Sequence, residues 1–190
     1  MATFHLQGHR RLYIHNTLDQ GAFNAKSAIE KKLLEGNRDG IGFDYMSCGL
    51  MLAFTFEAQV NFFGNRILKP WNHYQRWKGK VERVFEVLSI EFDWSKRPFV
   101  SLWKMKTFRD TIAHGKAFEQ DLNEDVEGAS IDEVRKAFKL KQAWESMMTH
   151  DEIMQAYDDT NEIWKLMIEK SGIEITETID QVDIVFTPKG

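Results

Sequence analysis

The stretch FRDTIAHGK, from Phe108 to Lys116, holds the side chains of this chain best placed to do chemistry together. Arg109 is followed at once by Asp110. His114 stands five residues past the arginine, with Gly115 behind it. Read as one helix from Phe99 at about 100° per residue, Asp110 and His114 are neighbours one turn apart. A carboxylate there can accept from one imidazole nitrogen, fix the tautomer and leave the other nitrogen free. Arg109 lies about 140° round from His114 by the same count. The two then meet over a substrate only through the reach of the arginine, a change of backbone at the glycine, or a second copy of the motif from another subunit. Gly115 reads as the residue that closes the helix, which sets His114 in the last turn, where the helix dipole favours a cation. A histidine that titrates near neutrality suits general acid–base catalysis, worth on the order of 10²–10⁴ in rate. An arginine beside it suits a phosphate and the charge that develops on it. The plainer reading is structural: His114 caps its own helix end, and Arg109 pairs with Asp110 or with an acid in the C-terminal third.

The charge around this stretch is uneven. Residues 1–65 carry 6 basic and 6 acidic side chains, residues 66–116 carry 12 and 5, and residues 117–190 carry 7 and 18. The motif closes the basic third, where Lys96, Arg97, Lys104, Lys106, Arg109 and Lys116 face Asp110 alone. Lys104, Lys106 and Lys116 are the cations expected to hold substrate. The basic third also contains Trp71, Tyr74, Trp77, Trp94 and Trp103. Cations interleaved with aromatics suit single-stranded nucleic acid, through phosphate pairing and base stacking. Equally, the cations can be solvated helix faces and the tryptophans core. The acidic third reads as a solvated helical face, or as a partial cover for the basic surface.

The elements that must position the motif are helical. With 43 % apolar residues, 13 % aromatics and 3 prolines in 190 residues, one folded domain with a real core is expected. A first helix is predicted over 23–34, broken by EGNRDGIG. A second spans 43–68 and is apolar over much of its surface, as the central helix of a bundle would be. A third covers 73–92, with Val81, Val84, Phe85 and Leu88 inward. A fourth starts near Pro98 and carries Phe99, Leu102, Met105, Phe108 and Ile112 to Gly115. Ser130 with Glu133, and Thr149 with Glu152, are capping boxes that open two more helices. These bury Val134, Phe138 and Met147, and Ile153, Tyr157, Trp164 and Ile168. After Gly172, IEITETIDQVDIVF turns to Ile, Val and Thr in partial alternation, which predicts a small hairpin or a terminal strand. The expected fold is all-α: one bundle over 1–172, with its motif-bearing core at 43–116 and a β tail at 173–190.

Other chemistry finds little footing. Cys48 is the single cysteine, within an apolar run, and reads as a buried, inert thiol in a reducing compartment. No Walker loop, GxGxxG or Glu-x-x-His repeat occurs. His5 and His9 alone have metal-ligand spacing, on a terminus expected to be mobile. No cofactor is expected. Glu57 and Asn61, one turn apart on the apolar second helix, are expected as a buried polar pair that fixes packing rather than as the lining of a cleft. The N-terminus lacks the apolar core of a signal peptide, and CGLMLAFTF is too short to span a bilayer. A cytoplasmic protein with no membrane partner is expected.

The pattern Arg109, Asp110, three residues, His114 resembles the signature of the HEPN superfamily, an Arg-x4–6-His motif whose second residue is commonly Asn, Asp or His. The helix LMLAFTFEAQVNFF is similar to the family's long first core helix. The resemblance covers about residues 43–116; the following two helices fit loosely, and the first helix and the tail look like additions. It implies an up-and-down helical bundle that pairs as a homodimer, with two motifs facing each other across a cleft. It further implies a metal-independent RNA endonuclease, in which a 2′-hydroxyl attacks the adjacent phosphate and leaves a cyclic phosphate. His114 would act in proton transfer, Arg109 would stabilise the phosphorane and Asp110 would orient. Stress, toxin or defence roles, with an antitoxin as partner, belong to such proteins. One variant has a tyrosine two residues after the histidine, as a target for nucleotide modification; Lys116 stands there instead, which argues against that type. Other members are non-catalytic modules that bind nucleic acid, nucleotide or protein, and this is the alternative reading.

Overall fold

The structure is a computed structural model that describes residues 2–115, 119, 121–123, 125–137, 144–147 and 149–189. In chain order its elements are β1 (Thr3–Arg11), α1 (Ile14–Leu34), α2 (Ile41–Ile67), α3 (Trp77–Val87), α4 (Phe99–Ala113), α5 (Ile131–Ala137), α6 (His150–Ser171) and β2 (Gln181–Lys189). This is a mostly helical bundle with a two-stranded antiparallel sheet made from the two ends of the chain. Helix α2 is central: α1, α3, α4 and α6 all pack on it. Its 27 residues span about 40 Å at 1.5 Å per residue.

The core runs along α2 in two parts. Cys48, Leu52 and Ala53 meet Ile29 of α1, Met105 and Phe108 of α4, and Ile153 of α6. Further on, Phe56, Val60 and Phe63 meet Trp77, Val81, Val84 and Phe85 of α3, Phe99 and Leu102 of α4, and Ile163 and Met167 of α6. Each fully buried Phe or Leu contributes about 1.5–3 kcal/mol, so the bundle is held chiefly by α2 and its four neighbours.

Several boundaries differ from the sequence reading, each for a physical reason. Helix α1 begins nine residues earlier than expected. Asp180, just before β2, accepts from the Tyr13 N–H at 2.7 Å and from Asn16 Nδ2 at 3.0 Å, so the cap comes from the other end of the chain. Gly21 sits inside α1 because a Cβ there would meet Met51 Sδ at 3.2 Å; it marks a close helix approach, not a break. Helix α3 is shorter than expected. Ser89, at φ 54°, ends it in left-handed backbone, and the Ile90 N–H returns to Phe85 O at 2.8 Å. The N-terminus, read as mobile, is a strand. Glu152 and Thr149 form the expected capping box at α6. At Ser130 only half of the box forms: the Glu133 N–H donates to Ser130 Oγ, while the Glu133 carboxylate accepts from Ala129. Along α6 the innermost line is Ile153, Ala156, Asp159, Thr160, Ile163 and Met167, with Tyr157, Trp164 and Ile168 half-buried beside it. Phe138 lies outside the described residues; Val134 and Met147 are half-buried.

Candidate functional site

Helix α4 presents the motif because Phe99, Leu102, Met105 and Phe108 turn its apolar side inward. Arg109 leaves on a flank that faces α2. Its Nη1 donates to Glu57 Oε2, and its Nε and Nη2 donate to Asp110 Oδ1 at 3.1 and 2.9 Å. The guanidinium carbon stands 5.8 Å from the centre of the Phe54 ring. Lys106 Nζ lies 2.6 Å from Asp110 Oδ2. From the α3 side, Lys80 Nζ donates to Glu57 Oε1 at 2.7 Å and to Asn61 Oδ1 at 3.3 Å, and Trp71 Nε1 also donates to Asn61 Oδ1. The result is an alternating chain, Lys80–Glu57–Arg109–Asp110–Lys106, with one more cation than anion.

Burial pushes the Glu57 carboxyl up, but hydrogen bonds and charge from Lys80 and Arg109 outweigh it and hold the group below its ordinary value. Burial likewise pushes Asp110 up, and Lys106 and Arg109 bring it below the usual carboxylate range. Both acids are therefore anionic at neutral pH. Arg109 uses three of its five donors on these carboxylates, so two N–H bonds remain uncommitted among the described residues.

His114 is the residue that ends α4, at φ −113° and ψ 23°, and it is exposed. Its backbone N–H donates to Asp110 O at 2.9 Å. The expected hydrogen bond between the His114 ring and the Asp110 carboxylate does not form, because Arg109 and Lys106 occupy that carboxylate. Gly115 does not close the helix in left-handed backbone as expected; the last turn tightens instead, with the Gly115 N–H reaching Ile112 O at 3.4 Å.

The predicted cations separate. Lys106 joins the network and lies 5.3 Å over the Trp103 ring. Lys104 turns to α6 and pairs with Glu152 at 3.2 Å. Lys116 lies outside the described residues. Of the aromatics, Trp77 is core and Trp71 and Trp94 are half-buried against it, while Tyr74 and Trp103 are exposed. Among the described residues the acidic third meets the basic third in three ion pairs, Arg66–Glu177, Arg97–Asp159 and Lys104–Glu152. Cys48 is buried, and burial pushes its thiol up to about 12.

One feature escaped the sequence reading, and another was weighed there only as the lesser alternative. Lys80, almost wholly buried, anchors the network from α3. Its signal was a lysine on the same helical face as Trp77, Val81 and Val84, to be set against Glu57 in the apolar middle of α2. The second is an open groove of about 590 Å³ beside Glu57 and Asn61, whose walls include Tyr13, Ile14, Phe54 and Arg66. Glu57 and Asn61 thus do both things weighed for them: they bind Lys80 and they line a cleft. Among the described residues no three His, Cys, Asp or Glu side chains are grouped to hold a metal ion, and no helix is long and apolar enough to cross a membrane.

Fold and site together define a helical bundle with a net-positive arginine–carboxylate network at the junction of α2, α3 and α4. Set against protein-family models, curated proteins and solved structures, the chain matches none of them.

Proposed function

We propose that the chain is an HEPN-like, homodimeric, metal-independent endoribonuclease centred on Arg109 and His114. The observation that carries this reading is the exposed imidazole at the end of α4, five residues past an arginine that, among the described residues, keeps two uncommitted donors in a net-positive network. A ring nitrogen of His114 takes the proton from a ribose 2′-hydroxyl. The oxygen attacks the adjacent phosphorus, and Arg109 stabilises the charge on the phosphorane. The P–O5′ bond breaks, and the leaving 5′-oxygen takes a proton from the histidine of the facing copy. The products are a 2′,3′-cyclic phosphate and a 5′-hydroxyl. Asp110 positions Arg109 rather than His114. A phosphate can replace one carboxylate on the guanidinium because it offers oxygens in the same fork geometry.

One observation favours the alternative, a non-catalytic binding module: Arg109 is already paired twice within its own subunit. Cleavage of end-labelled RNA in EDTA separates the two. Wild type should cut and leave cyclic-phosphate ends, and His114→Ala should be slower by about 10²–10⁴-fold. The exposed site makes that variant fold normally. No cutting by folded wild-type protein would move the assignment to the binding module.

A further inference from the structure

The sheet of the two termini stands on the bundle as an uncovered arm. Its register pairs Phe4 with Pro188, Leu6 with Phe186, Gly8 with Ile184 and Arg10 with Val182. Directly opposed residues share a face, and the face repeats every second residue. One face is therefore apolar except for Arg10 at one end. The other carries Thr3 and Lys189, His5 and Thr187, Gln7 and Val185, His9 and Asp183, and Arg11 and Gln181. The sheet is amphipathic, yet nothing described covers its apolar side. Phe4 and Leu6 are each 56 % exposed, Val182 57 % and Phe186 63 %. Two strands without a second layer are marginal in water. Here the pairing is also tight: a Cβ at Gly8 would fall 2.0 Å from Asp183 O.

We infer that this apolar face is where two copies of the chain join, ribbon stacked on ribbon about a two-fold axis. One apolar face meets its own copy with like against like, as an isologous contact requires. These four residues leave roughly 500 Å² exposed per copy, backbone included, so stacking removes at most roughly 1,000 Å², at the lower bound for a specific pair. The patch does not stop at the strands. Leu12 and Ile14, 60 % and 63 % exposed, carry it to the lip of the groove beside Glu57. Charge selects the arrangement. Parallel stacking would gather both Arg10 cations at one end of the stack; antiparallel stacking separates each from its counterpart by about 20 Å, six residues of strand.

The inference rests neither on cleavage nor on the facing motifs proposed above: the ribbon leaves the bundle at the Tyr13, Phe62 and Arg66 end of α2, whereas α4 carries His114 past Phe108 to the Cys48 end. The experiment is sedimentation velocity on the full chain up to about 100 μM, with thermal melts to confirm a folded bundle. Wild type should be a dimer. Phe186→Glu, which brings two charges into the contact, should weaken it by at least about 100-fold. Val185→Glu, the next residue but on the polar face, should dimerise like wild type. A monomeric wild type overturns the inference, as does a dimer that Phe186→Glu leaves intact or that both variants dissociate. A monomer that sediments with phosphatidylcholine or phosphatidylserine vesicles gives the face to lipid instead. A dimer that does not cut RNA sinks the nuclease and leaves this contact standing.

Discussion

Just before α4, Arg97 reaches the buried Asp159 of α6; near the other end of the helix, Arg109 reaches Glu57 of α2 and its own neighbour Asp110. In the first site the acid is buried and the cation exposed. Asp159 accepts from Arg97 Nη2 at 2.6 Å and from Ser101 Oγ at 2.5 Å, and Gln155 completes the set by donating to Ser101. No ligand can take the place of that carboxylate without opening α4 from α6. In the second site the cation is the more buried partner, the acids are a quarter to a third exposed, and Glu57 lines an open groove. An incoming anion can exchange with such an acid. The same pair of residue types thus makes a clamp at one end of α4 and an adjustable site at the other.

The sharpest break in this comparison comes from Glu57. Glu57→Ala strands Lys80 in the core without its acid, and should cost about 3 kcal/mol in denaturant unfolding. Adding Lys80→Met should recover most of that loss, because the buried charge goes with its partner. Arg109→Ala should cost much less, since Glu57 keeps Lys80 and Asp110 keeps Lys106. If Arg109→Ala unfolds the protein as readily as Glu57→Ala, then Arg109 is a second clamp and not an exchangeable site.

A smaller loss is expected at the clamp itself. Asp159→Ala removes a buried acceptor of charged hydrogen bonds, worth about 2 kcal/mol of stability. Arg97→Ala should lose less, because the arginine is mostly in water. Neither should change RNA cleavage per folded molecule. A cleavage defect in Asp159→Ala at full folding would mean that the ends of α4 are coupled.

Much of this was legible in the sequence and some was not. The apolar stripes of α2 and α4, the Thr149–Glu152 cap and the end of α4 at His114 follow from periodicity and local chemistry, which one stretch of chain carries by itself. The Lys80–Glu57–Arg109 chain was not read, because it joins three helices and the two cations are 29 positions apart. The pairing of β1 with β2 was harder still. Thr3 and Lys189 are at opposite ends of the chain, and TFHLQGHRR alternates too weakly to announce a strand alone. The start of α1 failed for the same reason: Asp180, its capping acid, lies 167 residues from Tyr13.

The smallest effect expected is a pH dependence that places His15 apart from the network. His15 is buried among Tyr13, Phe62 and Trp164, and its Nε2 has no partner among the described residues. Burial lowers its pKa from 6.5, while the Thr178 carbonyl and Asp180 pull it back up. The unfolded chain therefore binds this proton more readily than the folded one. Stability should be complete above 6.5 and fall as the pH drops below it, a slope that His15→Phe removes. The network titrates in a lower window. Glu57 and Asp110 are held below 4.5 and 3.8, so their contribution persists at those values and is lost only as the pH falls through the folded pKa of each. Thermal melts of wild type and His15→Phe from about pH 8 to pH 3 should then agree above the histidine range, diverge just below it and share the acid limb. A wild-type curve flat down to the carboxylate range would mean that His15 takes up its proton without leaving the folded state.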